Sequence, residues 1–128
     1  MKFELKHGLP FVEMLFTHRG IKRIVPNILI DTGSATTLLS AEIALEIGLE
    51  PELTDLIRTM RGVGGAEYVY EKKIDRLKLE NVSIRNYTIQ IGDMDYGLDI
   101  NGILGTDFLL ETRAVLDMVK MELTLSPN

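Results

Sequence analysis

The segment Ile28-Leu29-Ile30-Asp31-Thr32-Gly33-Ser34 carries the most chemistry in the chain. Three large aliphatics ahead of Asp31 read as a buried strand, so the carboxyl sits where the chain leaves the core. Gly33 permits a tight turn and close backbone approach. Thr32 and Ser34 bring hydroxyls to the same turn. Such an arrangement can hold one carboxylate rigidly with donors around it, as general acid–base chemistry requires. The plainer reading of the same residues is an Asp-Thr-Gly turn between two strands. The tripeptide alone does not decide between them.

Other constellations carry less. Gly62, Val63, Gly64 and Gly65 suggest a phosphate loop, but the Lys-Ser/Thr of a P-loop is missing and no clear helix follows. A loose hairpin fits them better. Asp93, Asp95 and Asp99 stand at alternate or near-alternate positions, as in calcium loops. An EF-hand loop from Asp93 wants Gly at position 98 and Glu at position 104, where Leu98 and Leu104 stand. A solvated acidic loop is the simpler account, and no metal or other cofactor is expected. His7 and His18 lack the His-Glu-x-x-His spacing and read as surface or turn histidines. Ser34 has neither a nucleophile elbow nor a well-placed His, which argues against a triad. Asp107 reads as a helix-start residue and Asp117 as a turn residue, neither of them catalytic.

The elements that would position these residues are mainly β. Phe11 to Phe16 and Ile21 to Val25 read as a hairpin around Thr17-His18-Arg19-Gly20. Asn27 to Ile30 is a further buried run, and Thr36 to Leu39 resumes β-type residues. The best helix runs from Ala41 to Ile47, with Ser40 as N-cap, Glu42 in the first turn and Gly48 as the stop. Glu67 to Leu79 and Val82 to Ile91 read as strands around Glu80-Asn81. Thr106 to Thr112 is a candidate short helix. Ala114 to Leu116 and Met121 to Leu125 form a candidate closing hairpin around residues 117–120.

In this context the sequence resembles the retropepsin-like aspartic proteases. Their signature is an apolar strand, Asp-Thr-Gly-Ser/Ala, then another apolar strand. Their second signature, two aliphatics and a Gly before a short helix, is matched by Ile103-Leu104-Gly105-Thr106-Asp107-Phe108-Leu109. Between the two the family has a mobile Gly-rich hairpin, the flap, and Arg61 to Tyr68 occupies that place. The resemblance covers residues 10 to 126 or so, in the family's order. It implies a mainly β, single-domain acid-protease barrel over residues 1–128, with one or two short helices and a flap. It implies Asp31 as the catalytic residue, supported by Thr32, Gly33 and Ser34. Gly62, Val63, Gly64, Gly65, Ile103, Leu104 and Gly105 would line the flap and cleft, with Ile103 and Leu104 packed under the turn. A hydroxyl of Ser34 bonded to Asp31 would favour the anion and move the active pH range toward acid.

The chemistry then sets a condition on stoichiometry. Aspartic proteases use two carboxyls that share one proton, because like charges ~3 Å apart cannot both ionise. One takes a proton from water while the other protonates the substrate carbonyl. The pair titrates as a unit. This chain supplies one Asp-Thr-Gly, and Asp95-Tyr96-Gly97 lacks the apolar strand before it. The expectation is a homodimer with the two Asp31 facing across a two-fold axis and a polypeptide substrate, and the resemblance implies that Thr32 bonds across that axis.

Composition is consistent with that reading and excludes others. With 128 residues the chain is long enough for one core-bearing domain and too short for a two-domain mechanism. There is no Cys, hence no disulfide, no thiolate metal site and no cysteine nucleophile. A net charge of −5 does not suit a nucleic-acid partner. No stretch approaches a membrane span, no signal peptide is visible, and together with the missing Cys this points to a cytoplasmic setting. Two alternatives remain. One is a protease-like domain used for binding or assembly without proteolysis. The other is a phosphotransferase, since Ile30 to Thr36 is similar to the first phosphate loop of the actin and sugar-kinase superfamily. That fold needs two larger lobes than this length provides.

Overall fold

The computed structural model describes residues 1–62, 65–94 and 99–126. In chain order its strands are β1 (Glu4–Lys6), β2 (Leu9–His18), β3 (Ile21–Ile30) and β4 (Leu38–Ser40), followed by helix α1 (Ala41–Glu46). Then come β5 (Ile57–Gly62), β6 (Gly65–Leu79), β7 (Val82–Gly92) and β8 (Gly102–Leu104), helix α2 (Thr106–Glu111), and the hairpin of β9 (Val115–Asp117) and β10 (Glu122–Thr124).

The main sheet runs β1-β2-β3-β8-β4-β7-β6-β5, and an extra β2–β6 pairing joins its two halves. Strands β2, β3, β8, β4, β7 and β6 thus make a closed ring, from which β1 and β5 project as edges. Within the ring lies the larger apolar cluster, including Met14, Phe16, Ile28, Leu39, Leu77, Ile89, Leu104 and Phe108. A smaller cluster holds Phe11, Leu38, Val69, Met94, Ile100 and Ile103. The division follows strand alternation: Leu38 and Leu39 are both buried but belong to different clusters.

Local chemistry explains the connections. The β2–β3 turn has Arg19 at φ 49° and Gly20 at φ 82°, the positive pair that matches a two-residue hairpin to the twist of its strands. β3 is one strand where the sequence suggests two. Pro26 and Asn27 interrupt the apolar pattern because they form a bulge: register passes from Met14↔Val25 to Val12↔Ile28, and Asn27 takes φ 57°. Asn101 satisfies the bulge carbonyls, its Nδ2 donating to Pro26 O at 2.9 Å and its backbone N to Asn27 O at 3.0 Å. The bulge therefore ties β3 to the segment that leads into β8.

Helix α1 forms where expected, one residue shorter. Its stop is a Schellman arrangement, with Gly48 at φ 80°, Gly48 N donating to Leu45 O and Leu49 N to Ala44 O. Ser40 occupies the N-cap position but makes no side-chain capping bond. β4 begins two residues later than the apolar run from Thr36, because Thr36 and Thr37 belong to the loop after the Asp turn. The short strand β1, paired to β2, has no clear signal in the sequence. The closing hairpin holds, with Val119 N and Lys120 N both donating to Asp117 Oδ1 at 3.0 Å. Among the described residues no helix is long and apolar enough to cross a membrane.

Candidate active site

Asp31 follows the last residue of β3 and is part-exposed. Its backbone N donates to Leu104 O at 3.0 Å, so the parallel β3–β8 ladder runs up to the carboxyl itself. The turn is short: Ser34 N donates to Asp31 O at 3.1 Å. Gly33 N donates to Asp31 Oδ1 at 2.9 Å, which fixes one carboxylate oxygen from the turn's own backbone. A Cβ on Gly33 would stand 3.1 Å from that oxygen. Thr32 and Gly33 are exposed, whereas Ser34 is buried.

Helix α2 clasps this turn. Thr106 N donates to Ser34 O at 2.8 Å, Asp107 N to Ala35 O at 3.3 Å, and the Thr106 hydroxyl to Thr32 O at 2.8 Å. Phe108 N is met by the helix's own Asp107 Oδ1 at 2.8 Å. The first N–H groups of a helix lack intrahelical partners. Here the turn's carbonyls take two of them, and Gly105 at the N-cap needs no capping side chain. This is why an aliphatic-aliphatic-Gly segment precedes a helix at this point.

Below the turn lies a small polar network that sequence reasoning missed. The Thr37 hydroxyl donates to Asp107 Oδ1 at 2.8 Å and accepts from Gly105 N at 3.1 Å. Burial, then a hydrogen bond to Asp107, pushes the Tyr87 phenol's pKa far up, so the phenol stays a donor. Asp107 is more than a helix-start residue. It gathers Thr37, Phe108 N and Tyr87 beneath the turn. Only the pairing of Thr37 with a late acidic residue could have signalled this, and nothing in the chain order suggests it.

Ile103, Leu104 and Gly105 are brought to the turn: all three are buried, and β8 lies between β3 and β4. Ile103 reaches the smaller cluster with Leu38 and Val69, so the root of the β5–β6 hairpin shares that cluster with the segment under Asp31. Gly62 and Gly65 face each other across that hairpin. Val63 and Gly64, and the acidic loop at 95–98, lie outside the described residues.

Two expectations need correction. The Ser34 hydroxyl donates to Thr36 O at 2.7 Å, bracing the loop, and is not bonded to the Asp31 carboxylate. His18, beside the turn that ends β2, is half-buried rather than exposed: its side chain is 12% exposed, and Nδ1 lies 4.0 Å from Asp75 Oδ1 with no hydrogen bond among the described residues. His7, at φ 54°, does sit in an exposed turn.

A family model described as aspartyl protease matches residues 17–108. The chain belongs to the aspartyl protease family. The match runs from the end of β2 through Asp31 and the long β5–β7 region to Phe108 in α2, so it takes in both the turn and the segment that clasps it. Among solved structures, the chain is similar to a retropepsin-like aspartic protease from Rickettsia conorii. That likeness has a TM-score of 0.66 and 19% identity, covering 91% of this chain and 82% of the other. At that identity it shows the fold, which is the mainly β retropepsin-like one. No curated protein matches the chain. This member of the aspartyl protease family carries its single Asp-Thr-Gly at the end of β3.

Proposed function

We propose that the protein is an aspartic endopeptidase in which two copies of the chain each contribute one Asp31. The observation that carries this reading is the Asp31 turn itself. One carboxyl is fixed by Gly33 N, clasped by α2, and flanked by exposed Thr32 and Gly33. One carboxyl cannot both hold a proton and remove one from water, so a second must be supplied. An isologous contact through the exposed turn supplies it, since a two-fold axis brings each residue against its own copy. In the pair, the ionised Asp31 takes a proton from water as the water oxygen attacks the peptide carbonyl. The protonated Asp31 gives its proton to the carbonyl oxygen. Collapse of the tetrahedral intermediate returns a proton to the leaving amine.

The β5–β6 hairpin, whose last described pair is Gly62 with Gly65, serves in this reading as the flap, with Val63 and Gly64 between them in the sequence. Its backbone would pair with an extended polypeptide as an added strand. Ile103 would supply apolar floor for substrate side chains, with Leu38 packed in the same cluster behind it. The test is cleavage of an unfolded polypeptide by purified protein beside Asp31→Asn. Cleavage by the wild type and none by the variant is expected. Equal outcomes in the two samples would remove the reading and leave a protease-like binding domain.

A further inference from the structure

Gln90 is a polar side chain in an apolar place. It lies on β7 between Ile89 and Ile91, all three buried, and is 5% exposed. Its register partners are Leu38 on β4 and Glu71 on β6, and Leu38 in turn faces Ile103 on β8. Residues directly opposite in a sheet share a face, so Gln90 lies on the face of the smaller cluster.

Its bonds run in two directions. The backbone N donates to Thr37 O at 2.9 Å. The side-chain Nε2 donates to Glu71 Oε1 at 2.9 Å, an oxygen that also accepts from Arg58 Nε at 3.1 Å. Among the described residues, Gln90 Oε1 is buried without a partner. A buried acceptor left unbonded is unfavourable, and an apolar residue of similar size avoids it. Stability therefore does not account for glutamine here. Among the described residues, the one thing its side chain does is hold Glu71, and through Glu71 it holds Arg58 on β5. That bond is also the chief reason the Glu71 carboxyl lies below its usual pKa range.

We infer that Gln90 is a positioning residue, a strut that makes the root of the β5–β6 hairpin and the support of the Asp31 turn move as one. The chain of contacts is continuous. It runs from Arg58 and Glu71 through Gln90 to Thr37, whose hydroxyl accepts Gly105 N, and on to Thr106 N, which holds Ser34 O. The inference rests on the reading of the hairpin as a flap. Its consequence is that flap closure on substrate and the setting of Asp31 are linked through a residue that touches neither substrate nor the reacting atoms.

The test uses Gln90→Leu, read by amide hydrogen exchange and by peptidase kinetics. The expected result is unfolding at the same or higher denaturant concentration. Exchange should quicken about tenfold at Glu71 N, on the hairpin, and also at Gly105 N and Thr106 N, below the turn. KM should rise severalfold while kcat changes less than about twofold, since a looser flap weakens substrate holding without removing a reacting group. Glu71→Leu breaks the same bond from a more exposed position and should repeat the effect. Adding Gln90→Leu to it should change nothing more. Glu71→Gln keeps an acceptor and should behave as wild type. Faster exchange confined to the hairpin, additive effects in the double variant, or a fall in kcat at constant KM would each overturn the inference. If the wild type cleaves nothing, the endopeptidase reading falls, and the exchange data alone still decide whether hairpin and turn are joined.

Discussion

Gly105 lies against the backbone of Thr36 so closely that a Cβ would stand 2.1 Å from the Thr36 carbonyl oxygen and 2.4 Å from its carbon. Both partners are backbone, held on one side by the β4–β8 pairing and on the other by the α2 clasp. Neither can retreat without opening the turn. Gly105→Ala should therefore destabilise the protein by about 3 kcal/mol, the upper range for overpacking a rigid site. A denaturant titration reads this directly, and retention of wild-type stability would show that the clasp yields.

The Thr37 hydroxyl serves two partners at once. Thr37→Val keeps the shape but strands Gly105 N and removes one of the bonds to Asp107 Oδ1, which keeps Phe108 N, so a loss of about 1–3 kcal/mol is expected. Thr37→Ser keeps the hydroxyl and should lose about 1 kcal/mol for the missing methyl. Comparison of the two by thermal unfolding separates hydrogen bonding from packing.

Ser34→Ala removes a bond to Thr36 O rather than one to Asp31. Stability should fall by about 1 kcal/mol. The acid limb of the pH–rate profile should stay where it is in the wild type. A shifted limb would mean that the hydroxyl reaches the carboxyl after all.

Most of the site was legible in the sequence because it is built from local, strongly typed segments. The aliphatic run before Asp31 and Ile103-Leu104-Gly105 each announce a buried strand and a turn. What escaped was long-range. Asp107 meets Thr37 across 70 positions, and Gln90 meets Glu71 through register. Neither shows in spacing. The sequence suggests two runs in β3 because Pro26 and Asn27 break the apolar pattern, and a bulge that keeps a strand continuous has no distinctive sequence mark. The position of Ser34 suggests a bond to the carboxyl, while so tight a turn aims its hydroxyl at the Thr36 carbonyl two residues on.

His18 gives the fold a pH dependence of its own. Burial holds its pKa below the ordinary 6.5, opposed by Asp75, with Arg19 and Lys72 adding to the lowering. The folded state thus favours the neutral ring. In the window from pH 6.5 down to the folded value the unfolded chain binds more protons, so stability is full above the window and is lost as pH falls through it. His18→Gln should flatten that slope, measured as denaturant midpoint against pH. A variant that keeps the wild-type slope would assign it to other groups.

In the proposed reading one chain carries half an active site, which peptidase activity measured across a sedimentation gradient checks. Activity is expected at about twice the 14.4 kDa chain mass, where two Asp31 meet. Activity that sediments with the single chain would contradict it.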